Sequence, residues 1–176
     1  MKFTSDQHFF HKNICKFEPK SRPYGSVFEM NSSLITAWNT QVTKDEEVFF
    51  LGDFSFGSKH DTIQLAQQLN GRKHLIMGNH DKHSRNMYLE CFASVQDYVV
   101  IHLAKGVRIQ MAHKPERIVP GTDMWGICGH VHSSWRIDRE KHIINVGWDA
   151  WGKFLDHNMI THIINGGYSG SDKSNL

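Results

Sequence analysis

Glu47-Val-Phe-Phe-Leu51-Gly52-Asp53 and, some twenty residues on, Lys73-His-Leu-Ile-Met77-Gly78-Asn79-His80-Asp81 frame the stretch that decides the fold. Each begins as a short apolar run of strand length and ends abruptly in glycine followed by an acidic or amide side chain. Between them His60–Leu69 carries Ile63, Leu65, Ala66 and Leu69 at helical spacing. Strand, helix, strand in so short a span is the pattern of a right-handed crossover with parallel pairing.

The pattern continues upstream. Met1–Thr4 reads as a first strand and runs into Asp6-Gln7-His8. Ser26 suits an N-cap for a helix over Val27–Val42, with Phe28, Leu34, Ile35 and Trp38 as its apolar positions. Downstream the chain turns strand-rich. Val95–Leu103 and Val107–Met111 flank Ala104-Lys105-Gly106, a hairpin signal, and Ala112-His113 follows. Trp125–Cys128, Ser134–Ile137, His142–Val146 and Ile160–Ile164 are further expected strands, the first leading into Gly129-His130-Val131-His132. A βα half followed by a β-rich half implies an α/β (α+β) domain of two packed mixed sheets flanked by helices. The domain is expected over residues 1–165, with 166–176 as a polar tail rich in glycine and serine.

Composition narrows the class. The three cysteines are odd in number and widely spaced, so neither a disulfide framework nor a CxxC metal site is expected. No apolar run approaches the ~20 residues that span a bilayer, which makes a soluble cytoplasmic protein the expectation. The net charge of +2 contains no Lys/Arg block, so no strong nucleic-acid footprint is present. No feature sets an oligomeric state. Thirteen histidines raise the odds of metal or acid–base chemistry, and position has to decide.

Position is informative. Five polar clusters follow expected strands directly, and ligands in open α/β sheets gather beyond the carboxyl ends of strands. Carboxylate, imidazole and amide oxygen together suit divalent metals such as Mn, Fe, Ni or Zn. Asp6-x-His8 and His130-x-His132 would present alternate side chains to one ion from extended backbone. Gly52, Gly78 and Gly129 would let the chain turn sharply before each cluster. A single Gly-Asp is ordinarily a turn and a lone histidine ordinarily structural; five clusters in order, each at a strand end, outweigh those readings.

These residues resemble the calcineurin-like metallophosphoesterase superfamily, whose pattern is Asp-x-His, Gly-Asp, Gly-Asn-His-Asp, a single His and Gly-His-x-His. The flanking Ser5–Ile14, Arg22-Pro23, Phe54-Ser55 and Asn145-Val146-Gly147 are similar to a small single-domain bacterial and phage branch of predicted phosphoesterases. The resemblance implies a four-layer αββα sandwich. It implies Asp6, His8 and His132 on one metal, Asn79, His113 and His130 on a second, and Asp53 bridging them. It implies two divalent ions, Mn foremost and Fe, Ni, Zn or Mg as alternatives. The implied reaction is hydrolysis of a phosphodiester or phosphomonoester of a nucleotide-like or other small substrate by a metal-bridging hydroxide. His80 is then the general acid and Asp81 the residue that orients it. Two other readings are a nuclease acting on DNA or RNA ends and a non-catalytic metal-stabilised binding module. Arg22 and His11 are candidate substrate contacts, and Lys114 beside His113 is read like Arg22. Trp125, Trp148 and Trp151 are read as packing ahead of base stacking, and Asp149 lies near the motifs without a motif of its own.

Overall fold

A computed structural model describes residues 1–103, 106–119 and 124–168; Ala104 and Lys105 of the expected hairpin turn, and 169–176 of the expected tail, lie outside them. Among the described residues, ten strands form two five-stranded sheets. In the first, β1 (Lys2–Thr4), β2 (Glu47–Phe50), β3 (Arg72–Ile76) and β4 (Ser94–Gln96) run parallel, and β10 (Leu155–Asp156) closes the β1 edge antiparallel. The second sheet has β6 (Arg108–Ala112), β7 (Met124–Cys128) and β9 (Ile143–Asn145) parallel at its centre. Antiparallel β5 (Tyr98–His102) and β8 (Ile137–Asp138) form its edges.

Strand alternation sorts the core. Val48, Phe50 and Leu75 face two helices, α2 (Val27–Gln41) and α3 (Lys59–Gln68), and bury Leu34, Trp38, Leu65 and Ala66. The opposite parity supplies Phe3 and Ile76, which meet Ile109, Met111, Ile127 and Ile144 of the second sheet. The expected architecture of packed mixed sheets with flanking helices is therefore what forms. The outer face of the second sheet is covered by a 3-10 turn at Pro115–Arg117, Ile118 and Trp135. The α2 start is as expected: the Ser26 Oγ accepts from the Glu29 N–H at 3.1 Å. Its buried stripe is Met30, Asn31, Leu34 and Trp38, while Phe28 is exposed.

Three expectations change. Val95–Leu103 is two strands in different sheets, β4 and β5, divided at Asp97, whose carboxylate pairs with Arg85. The expected strand Ser134–Ile137 begins only at Ile137. Ile160–Ile164 lies in a helix, α6 (His157–Ile164), capped by Asp156, whose Oδ1 accepts from the Met159 N–H at 2.9 Å. Ile160 and Ile163 are three apart, so both reach the core from one helical face. Short helices at Ile14–Phe17 (α1), Arg85–Tyr88 (α4) and Trp148–Trp151 (α5) complete the chain. The stretch after α6 stays packed through Tyr168, whose ring lies 5.4 Å from that of Trp151 and whose hydroxyl accepts from Arg136 at 3.0 Å. No helix among the described residues is long and apolar enough to cross a membrane.

Candidate metal centre

The loops after β1, β2 and β3 and those after β6 and β7 converge at one end of both sheets, and the sequence clusters meet there. Two groups of possible ligands result, Asp6–His8–His132 and Asp53–His113–His130, each with its candidate atoms within 4.8 Å of one another. Each group draws on both sheets: Asp6, His8 and Asp53 follow strands of the first, and the other three histidines follow strands of the second. The Asp53 Oδ2 stands between the groups, 3.5 Å from His8 Nε2 and 3.4 Å from His113 Nε2. The Asn79 Oδ1 lies 3.0 Å from that same His113 nitrogen.

The backbone achieves this convergence differently from the extended geometry expected of Asp-x-His and His-x-His. Asp6, His8, Asp53, His130 and His132 all have positive φ, between 47° and 73°. Such angles are costly for residues with a Cβ and collect at functional sites. Of the three glycines, only Gly52 adopts one, at 89°. Gly78 and Gly129 serve close approach: a Cβ on Gly78 would lie 2.2 Å from Asp53 Oδ1, and one on Gly129 2.5 Å from Asp6 Oδ2.

Hydrogen bonds set the rings. The Nδ1–H of His113 donates to the Leu51 carbonyl at 2.7 Å, which turns Nε2 toward Asp53. The Nδ1–H of His132 donates to Asp149 Oδ2 at 2.8 Å, which frees its Nε2 for an ion. The Asp6 carboxylate accepts from Ser5 Oγ at 2.6 Å and from the His130 N–H at 3.0 Å, tying the two sheets' loops together. Burial raises the Asp6 carboxyl to about 6 against the pull of His113 and His132. Burial likewise pushes Asp53 up, but His113, the His80 N–H and His8 together hold it below the usual carboxylate range; burial lowers His113, yet Asp53 and Asp6 hold it above the usual imidazole range.

His8 is the clearest sign that the set fits a cation. Its side chain is 2% exposed, and neither ring nitrogen has a hydrogen-bond partner among the described residues. Burial drives its pKa down to about 2, so the ring is a neutral donor of lone pairs. An imidazole left unpaired in the interior costs free energy that a divalent ion would recover. A third group, Glu18–His132–Asp149, shares His132, and its carboxylates are already engaged by Ser133, Ser21 and Arg22.

Two assignments of role change. Asp81 does not orient the His80 ring: its carboxylate accepts from the backbone N–H groups of Asp53, Phe54 and Gly78 at 2.9, 2.9 and 2.7 Å, pinning one ligand loop to the next. The His80 main chain donates to Asp53 Oδ1 at 2.8 Å, and its ring packs 5.0 Å from Phe56 and 5.6 Å from His8. Arg22 does not face a substrate. It is 1% exposed; it grips Asp149 through Nε at 2.7 Å and Nη2 at 3.0 Å and donates to the Gln7 and Asp6 carbonyls. Arg22, Asp149 and His132 thus form one chain, which sequence spacing over 127 residues does not disclose. His11 lies at the rim, stacked on Phe56 at 4.1 Å. Trp148 is in the core, Trp151 lies under Arg136, and Trp125 stacks on His142, so none of the three lines the centre. Beside Asn79 and His113 opens a pocket of about 220 Å³, also lined by Lys114, Arg117 and Asp97.

No protein-family model matches the chain. It is 35% identical over 133 residues to the uncharacterized protein MJ1445 of Methanocaldococcus jannaschii, covering 74% of this chain and 68% of that protein. The solved structure of AQ665, a protein of unknown function from Aquifex aeolicus, superposes with a TM-score of 0.70 and 28% identity, over 93% of this chain and 98% of that one. An archaeal phosphodiesterase superposes with a TM-score of 0.51 and 16% identity, over 89% and 93% respectively. That likeness concerns the fold alone, two packed mixed sheets with flanking helices.

Proposed function

We propose that this chain, which belongs to the family of the Methanocaldococcus jannaschii protein MJ1445, is a phosphoester hydrolase that works with two divalent cations. The observation that carries the reading is the single Asp53 oxygen placed almost equally from a histidine of each ligand group. Asp6, His8 and His132 would hold one ion, Asn79, His113 and His130 the other, and Asp53 both. Manganese suits this mixed oxygen and nitrogen set, as do Fe, Ni, Zn and, less well, Mg. Bound there, such ions would polarise the phosphoryl oxygens and make water nucleophilic near neutral pH.

The chain's own residues do the rest. Asn79 offers a neutral oxygen, which adds no negative charge against an anionic substrate. His80 is assigned the proton donated to the departing ester oxygen: its backbone is pinned by Asp53 while its ring remains partly exposed beside His8. The substrate is a phosphodiester or phosphomonoester of small size, nucleotide-like in the first instance.

The test is turnover of chromogenic phosphate mono- and diesters with added Mn²⁺, with metal content measured alongside. Asp53→Ala should lose both metal and turnover; equal activity in wild type and variant overturns the proposal. His80→Ala should keep its metal and lose about 10²–10⁴ in rate. Loss of metal instead would make His80 a ligand.

A further inference from the structure

We propose that Phe17, His11 and Phe56 form a stacking platform for a nucleobase on one arm of the phosphoester; this rests on the hydrolase reading and narrows its substrate class. Three phenylalanines are exposed among the described residues, and two of them, Phe17 at 68% and Phe56 at 39%, flank His11 beside the candidate metal centre. The rings run outward in an unbroken series. His132 lies 4.9 Å from His8, His8 5.4 Å from His11 and 5.3 Å from Phe56, and His11 6.1 Å from Phe17. His11 and Phe56 are stacked face to face, 10° from parallel, and Phe17 stands tilted 58° to His11, its own face turned outward from that stack. One end of the series is therefore a would-be metal ligand, and the other is an aromatic ring standing in solvent. Such a ring gains nothing from water and would gain from a planar partner.

Phe17 ends the four-residue helix α1, whose buried anchor is Ile14, so its exposure is not part of the core's packing. A phosphoryl group at Asp53 would carry an ester substituent past His8 toward this platform. Every nucleobase offers a π-face, whereas an alkyl group of similar bulk does not. The recognition is accordingly by stacking and tolerant of which base is present.

The experiment uses the Mn²⁺-loaded full chain and calorimetry with two ligands, a nucleoside 5′-monophosphate and methyl phosphate. Wild type should bind the nucleotide about tenfold or more tighter than methyl phosphate, in line with stacking on a single aromatic platform. Phe17→Ala should abolish most of that difference while leaving methyl phosphate affinity and metal content unchanged, and Phe17→Trp should keep it. Equal affinities in wild type, or a preference untouched in Phe17→Ala, overturns the platform. A matched loss for both ligands assigns Phe17 a structural role and overturns it too. Because the readout is binding, failure to hydrolyse any ester would count against the hydrolase reading alone.

Discussion

Arg22 offers the sharpest test of how the centre is supported. Its guanidinium is buried and makes two bonds to Asp149 and one to each of two loop carbonyls, those of Asp6 and Gln7. Arg22→Met leaves the Asp149 carboxylate in the interior with only Ser21 and the His132 ring as donors. Breaking a buried pair from one side costs about 3–5 kcal/mol, a large part of the roughly 5–15 kcal/mol that holds a domain folded. Asp149→Leu should cost a similar amount by stranding the cation. The double variant removes both charges, so its loss should fall well below the sum of the two. Metal affinity should behave differently: His132 has lost its orienting carboxylate in the double variant, and affinity should stay down about 10–100-fold. Urea unfolding in chelator, followed by tryptophan fluorescence, reads the first quantity, and calorimetric Mn²⁺ titration the second. Additive stability losses within about 0.5 kcal/mol would show that the pair is not coupled. A double variant with wild-type metal affinity would sever Asp149 from the centre.

Three further outcomes are expected. Gly78→Ala puts a methyl 2.2 Å from Asp53 Oδ1 and 2.4 Å from its backbone nitrogen, so Asp53 must move. Metal content by atomic emission should collapse, and full loading at wild-type affinity would count against the bridging position. Asp156→Ala removes the cap on α6 and should cost about 1 kcal/mol in urea unfolding; no change would mean that the α6 start does not depend on it. Mn²⁺ at a hundred times its dissociation constant should raise stability by about 2.7 kcal/mol per site. Chelation should reverse this without loss of far-ultraviolet circular dichroism, and a metal-free chain that unfolds outright would refute the picture of a core independent of the ions.

Much of this molecule is legible from local pattern because its strands are short, apolar and cut off by polar clusters at their carboxyl ends. Glu47–Leu51 and Lys73–Met77 are read nearly to the residue, since each short apolar stretch is cut off by glycine and a polar cluster just past the last strand position. Val95–Leu103 misleads because a change of sheet at Asp97 alters no periodicity. Ile160–Ile164 misleads because so short a stretch, with isoleucine at 160, 163 and 164, suits either element, and the Asp156 cap tips it. The ligand residues are visible as types, but what holds them is long-range. Asp81 is placed by three amides, two of them in another loop, and Asp149 by an arginine 127 residues away. A motif records which atoms a centre needs, whereas the contacts that aim them depend on how the sheets dock.

Each candidate ligand group draws on both sheets, and this has a mechanical consequence. An ion held in either group would be a rivet across the seam between two halves of the molecule, and neither half would supply the full ligand set alone. Full ligation would require the sheets to be docked, and loosening of the seam would weaken the grip on an ion. A substitution that loosens the packing between the sheets should therefore speed the stripping of metal by a chelator, even when it touches no ligand.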